Sequence, residues 1–525
     1  MGSKKKRNSS KKPRQRQGLS GNPALRAEQL TEEQASYFGD EDPLLPTVGF
    51  GPAGPEVSEQ NLSSLIELAR TMAGGAEPAD WWPESHDRVL ERARAVGWPV
   101  DPAGIEETTC SIIGRQLSEN SAEHDTGHHL TPWLAAVAEH AGAALRDALA
   151  SGAEADDGWR PLWALLRGIV LTAPLSTTST EDREAFSDIK YPHETAVSET
   201  EKAAAVLSSR GLLGGGLLAN GPAGGRLVPE ARSAGTPLVA RDAYGARFLI
   251  AAPFDYVNTG SGDAGSERWY AWDVDVCWID MVVAAGTFGS SAEALAEWQS
   301  AVGGSASTAE LSACGPDMAG WLLGSCLREG AFAEMPHGGE PEELRREYFR
   351  SRRRAQVLAG AGLAVRADAD LDSDSGKRGI WKADGRFWKD NYKEESRKIR
   401  NEFRKWHAEQ YGKRVADVSQ GAETIIGEWG PRDPFDERVF FSCSPHRVEY
   451  AAHLISDGYL DDYASRALRI LPDWVRWCAE RSEISAEAAE TALAAARAVA
   501  ELATEKGTDA IPEPVIEDQA FRRAE

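Results

Sequence analysis

Residues 226–304 are the long stretch in which apolar side chains stop recurring at helical spacing. Within it, "ARFLIAAPFDYV" and "RWYAWDVDVCWIDMVV" are rich in β-branched and aromatic residues, with turn residues between them. This pattern predicts an antiparallel meander. Ser290-Ser291-Ala292-Glu293 then forms a capping box ahead of "ALAEWQSAV", so the meander hands over to a helix. The apolar segments on either side carry helical periodicity. The expected fold class is therefore mainly α with a small α+β unit, an antiparallel meander plus helix, in a multi-domain chain. With 525 residues the chain exceeds what a single hydrophobic core supports, and several domains are expected.

Breaks in composition divide the rest. Residues 1–27 read as a disordered basic tail and 28–58 as an acidic linker rich in Pro and Gly. A helical domain is expected over 59–209. In it, Thr131 and Pro132 open one helix, and "WRPLWALLRGIVL", apolar nearly all round, reads as a central one. Residues 210–225 form a Gly-rich linker. Gly214, Gly216 and Ala219 match a dinucleotide fingerprint there, but a helical stretch precedes them and Pro222 follows, which is the wrong context. After the α+β unit comes a helical segment, 305–361, with an Arg-rich end. Next are an acidic linker (362–376), a basic aromatic helix (377–414), a C-terminal helical domain (440–505) and a tail (506–525). Ser444-Pro445 opens the first helix of that domain, Gly458 closes it, and Ser485 caps the last.

The strand–strand–helix order of 226–304, with its Ser-x-x-Glu-Ala-Leu helix start at Ser290 to Leu295, resembles that of HicB-type antitoxin domains. The likeness lies in element order, and no function is inferred from it. A cytoplasmic location is expected: no apolar window is long enough to span a bilayer, and no apolar run follows the basic N-terminus to make a secretory signal. The six cysteines form no C-x-x-C pair and read as buried free thiols.

Net charge is −24, yet residues 342–414 carry 20 basic against 13 acidic side chains, and residues 1–17 carry basic residues with no acid. Charge asymmetry of this kind points to an anionic partner. On a helical wheel, Trp388, Tyr392, Ile399, Phe403 and Trp406 share one core-facing stripe. Beside it run Lys389, Lys393, Arg397, Arg400 and Arg404, several of them four apart, where like charges repel. A DNA or RNA backbone would relieve that repulsion, as would an acidic protein surface, including the chain's own. Arg352, Arg353 and Arg354 would extend the footprint.

Two further constellations carry alternatives. Gly260-Ser261 followed by Asp273-Val274-Asp275 fits a nucleotidyltransferase signature, in which both carboxylates face one side of a strand and hold a metal. The competing expectation is a hairpin with Tyr270, Trp272, Val274, Val276 and Trp278 facing the core and Asp273 and Asp275 facing water. His124, His128 and His129, with Glu123 and Asp125, are weak metal candidates in a loop. The alternating acids of 368–374 mimic a calcium loop, but no register places Gly at position 6 and Glu at 12. The expected function is a non-enzymatic cytosolic protein, with no cofactor, that binds nucleic-acid backbone. A metal-dependent nucleotidyltransferase-like enzyme and a protein-interaction scaffold are the alternatives.

Overall fold

A computed structural model describes residues 79–99, 101–123, 130–151, 158–175, 191–212, 230–257, 268–276, 281–323, 341–360, 386–412, 416–429, 440–482 and 484–512. The basic tail 1–27, the linkers 28–58 and 362–376, Gly260-Ser261, Trp278 and the loop holding His124, His128 and His129 lie outside the described residues. The fold is mainly α with one small antiparallel sheet. The described residues fall into two compact units, 79–360 and 386–512.

In the first unit five helices come first: α1 (Trp82–Ala95), α2 (Pro102–Glu123), α3 (Leu130–Ala150), α4 (Arg160–Thr172) and α5 (Pro192–Ser209). Helix α4 lies at the centre, against the other four. Its sequence explains this, because Leu162, Trp163, Leu165, Leu166, Ile169, Val170 and Leu171 leave no polar face to present to water.

The sheet follows, with strands β1 (Glu230–Ser233), β2 (Leu238–Arg241), β3 (Arg247–Val257), β4 (Arg268–Asp275), β5 (Met281–Phe288) and β6 (Ser312–Ala313). Strand β3 is its spine. Strand β4 pairs along one edge of β3, while β2 and β1 divide the other edge, with Leu238 opposite Ala251 and Ala231 opposite Tyr256. Every pairing is antiparallel. Helix α6 (Ser291–Val302) starts where the capping box predicts: Ser290 Oγ accepts from Glu293 N at 3.1 Å and Glu293 Oε2 from Gly289 N at 2.8 Å. It folds back onto the sheet and seats Ala294 and Trp298 against Leu249, Ala251, Ala271 and Ala284. A short helix α7 (Pro316–Leu322) comes next in the sequence, and then α8 (Pro341–Gly360).

Helix α8 packs against α2, α4 and strands β1 and β5. Its bonds to Tyr256, Tyr270 and Trp272 lie on the side of the sheet away from Trp298. With a helix on each face, β4 is buried on both sides from Tyr270 onward. The one-sided hairpin expected from sequence is corrected here. Tyr270, Trp272, Val274 and Val276 are core residues, but Asp273 is 0 % and Asp275 6 % exposed. The physical reason is α6, which covers the face that alternation alone assigns to solvent.

The second unit holds α9 (Arg386–Tyr411), α10 (Ala416–Trp429), α11 (Pro445–Gly458), α12 (Asp461–Ala479) and α13 (Ala486–Lys506). Ser444 and Ser485 cap α11 and α13 through Arg447 N and Ala488 N. The core is unusually aromatic. Phe403, Trp429, Phe440, Phe441, Trp474 and Trp477 meet mostly edge to face, at centroid distances between 5.0 and 6.2 Å. Helix α9, set apart in the sequence as a separate basic segment, supplies Ile399, Phe403 and Trp406 to this core.

Candidate functional site

Three groups of residues singled out in the sequence can now be placed. The first is the arginine run of α8. Arg352 and Arg353 are 6 % exposed and Arg354 2 %, so they cannot form the surface footprint expected of them. Arg346, Arg350 and Arg354, four residues apart, line an internal seam between α2 and the sheet. Arg350 donates to Glu107 Oε2 at 2.6 Å and to Glu347 Oε2 at 2.7 Å, and Arg346 also pairs with Glu107. Arg354 Nη2 lies 2.7 and 2.6 Å from the two oxygens of Glu106 and 3.0 Å from the Tyr256 hydroxyl. Tyr256 in turn donates to Glu106, Tyr270 donates to Glu347 at 2.8 Å, and Trp272 Nε1 donates to Ser351 at 3.0 Å.

The guanidinium of Arg354 also lies over Phe254, at 4.8 Å from the ring centre, and that of Arg350 over Tyr270, at 5.6 Å. Burial alone would raise the Glu347 carboxyl, but Arg350 holds it below its ordinary range. Burial and the Glu106 carboxylate push the Tyr256 phenol upward. The three arginines and three glutamates balance, so the seam is a neutral internal network holding α8 in place.

The second group is the Asp-x-Asp of β4. Asp273 Oδ1 accepts from Arg247 Nε at 3.0 Å and from Trp298 Nε1 at 2.9 Å, and Oδ2 from Arg247 Nη2 at 2.6 Å. Burial lowers the affinity of Arg247 for its proton, but Asp273 more than offsets this and its pKa is raised. The carboxylate thus ties β3, β4 and α6 together and leaves little for an ion. Among the described residues no group of three His, Cys, Asp or Glu side chains is placed to hold a metal.

The third group is the basic face of α9. The side chains of Lys389 and Lys393 lie outside what the structure describes. Arg397 is exposed, and Arg400 and Arg404 are half-buried. Arg400 Nη1 donates to Glu423 of α10 at 2.7 Å, so one member of the stripe already faces an acid of its own chain. Such a surface pair contributes little to stability. Lys398, Asn401 and Lys405, absent from the sequence stripe, are exposed as well, and shallow depressions run along them from Arg397 to Glu409, with Glu402 and Glu409 also in their lining. Ile399, Phe403 and Trp406 anchor the opposite side, and Trp406 Nε1 donates to Glu480 at 2.7 Å.

At the end of this face stands Tyr411, 46 % exposed and one of the large apolar side chains open to solvent among the described residues. Its hydroxyl donates to Asp473 Oδ1 at 2.5 Å and accepts from Arg476 Nη1 at 2.8 Å. Partial burial and the bond to Asp473 hold the phenol above its ordinary pKa, so it stays neutral. Sequence reasoning passed over Tyr411 because it falls off the core stripe. The available signal was its spacing of seven from Arg404 and fourteen from Arg397, which returns it to their side of the helix.

No helix among the described residues is long and apolar enough to cross a membrane. No protein-family model, curated protein or solved structure matches the chain.

Proposed function

We propose that this is a cytoplasmic binding protein that holds a nucleic-acid backbone on the outer face of α9. The observation that carries the reading is the cationic side of that helix. Arg397, Lys398 and Lys405 are exposed, with Arg404 half-buried between them, while the other side is fixed in an aromatic core. A rigid row of cations spaced along a helix suits repeating phosphates and reads no base sequence, because a helix lying against phosphates leaves base edges untouched. The arginines of α8 have no part in it.

The test is a binding titration of the full chain by fluorescence anisotropy, with a short duplex and a single strand, from about 50 mM salt upward. Log affinity should fall linearly with log salt. Arg397→Gln with Lys405→Gln should weaken binding to all sequences alike and reduce the duplex slope by about two, with the far-UV circular dichroism unchanged. Absence of binding to both probes at about 50 mM salt, a permissive condition, would overturn the proposal.

A further inference from the structure

We infer that the nucleic acid held by α9 is single-stranded, with one unpaired base stacked on Tyr411. The inference rests on the reading of the α9 face given above and specifies its ligand. Its basis is the place and mounting of Tyr411. Arg397, Arg404 and Tyr411 recur every seven residues, so they share one side of the helix and stand about 10 Å apart along its axis. A strand that follows the two arginines by its phosphates therefore reaches the tyrosine ring within a few nucleotides.

The ring is presented and held. One flank leans on His407, with centroids 4.6 Å apart, and the hydroxyl is clamped between Asp473 and Arg476 of α12. The clamp fixes the plane before any ligand arrives, which reduces the ordering that binding requires. It also places the Arg476 guanidinium beside the ring edge, where it offsets Asp473, 3.9 Å away, and adds a cation for the flanking phosphate. A flat, neutral, pre-set aromatic next to a row of cations is how sequence-tolerant single-strand sites are built, since every base has a π-face to offer. A paired base in a duplex offers only its edges, and exposing its face costs unstacking.

Anisotropy with the full chain tests this, using labelled oligothymidylate and a duplex with the same number of phosphates. The single strand should bind more tightly. Tyr411→Ala should weaken single-strand binding about ten-fold and leave duplex binding as it was, because loss of a base–aromatic stack acts only where a base is free. Tyr411→Phe keeps the ring and loses only the hydroxyl clamp, so it should weaken single-strand binding far less than Tyr411→Ala. If Tyr411→Ala binds oligothymidylate normally, or Tyr411→Phe is as weak as Tyr411→Ala, stacking is not the contact and the inference falls. Binding of duplex and single strand with equal strength, insensitive to Tyr411, would overturn the inference while the backbone reading stands. Failure of both probes to bind would overturn that reading itself.

Discussion

Asp242 closes the turn between β2 and β3, where its Oδ1 accepts from Ala246 N at 2.8 Å and Arg247 N at 3.2 Å. Gly245 supplies the positive φ of 65° that the turn requires. Burial, reinforced by the nearby Asp275 carboxylate and only partly countered by those two N–H groups, pushes the Asp242 carboxyl up to about 6. The folded state therefore binds a proton more tightly than the unfolded chain, whose carboxyl titrates near 3.8. Stability from this group is greatest in acid and is lost as pH rises from about 4 through 6, with a cost above that window on the order of 3 kcal/mol. Asp242→Asn keeps the Oδ1 acceptor and removes the charge. Its melting temperature should exceed that of the wild type at pH 7, with the difference shrinking towards pH 4, by calorimetry at both pH values. A loss of stability that is larger at pH 7 than at pH 4 would show that the carboxylate is needed as such. The aspartates of this region were visible in the sequence; their burial was not. Alternation along β4 says which residues share a face, but which faces are covered depends on where α6 returns, a contact that no local pattern encodes.

The same limit operates on whole elements. In the sequence the arginines of α8 are expected to extend a surface footprint for an external anion, and Arg346, Arg350 and Arg354 stand four apart, a spacing unfavourable for an isolated helix. In the fold the anions are Glu106 and Glu107 of α2 and Glu347 of α8 itself. The two partners on α2 lie more than two hundred residues earlier in the chain, beyond the reach of any periodicity. The seam also depends on how closely the two helices approach. At Gly114 of α2 a Cβ would lie 2.4 Å from Arg346 Cα and 2.6 Å from Arg346 N, both backbone atoms of α8 that no rotamer change can move. Gly114→Ala should thus destabilise by about 1–3 kcal/mol, because displacing α8 outweighs the gain of roughly 1 kcal/mol that alanine brings to a helix interior. Gly97→Ala, with nothing within 4 Å, serves as the control and should be near neutral. Urea midpoints measure both. A stabilised Gly114→Ala variant would mean that α8 is free to shift.

At the scale of the molecule the legible part was the class of structure. Helical periodicity, the capping residues Ser290, Ser444 and Ser485 and the β-rich block of 226–304 announce their elements locally, and the fold contains them. Domain organisation was less legible, because charge divides the sequence where packing does not. Helix α9 is basic and follows an acidic linker, yet its buried side chains complete the core of the C-terminal helices. That core is closed within the second unit: from Ile399 to Ile511, every buried residue of the cluster belongs to 386–512. It carries a dense group of buried aromatics, and part of its polar interior is matched internally, although the buried Trp474 and Trp477 indole N–H groups find no hydrogen-bond acceptor among the described residues. The Trp429 indole donates to Phe440 O at 2.9 Å, and Arg447 donates to Ser442 and lies over the Trp429 ring. A unit with its own core and of ordinary domain size is expected to fold alone. A fragment of residues 383–514 should melt cooperatively and give a strong near-UV circular dichroism signal from its packed tryptophans. It should also keep the salt-dependent binding of the full chain, since Arg397, Lys398, Arg404, Lys405 and Tyr411 all lie on it. Helical far-UV signal without near-UV signal, accompanied by dye binding, would mark a molten state and show that the rest of the chain is needed to order this core.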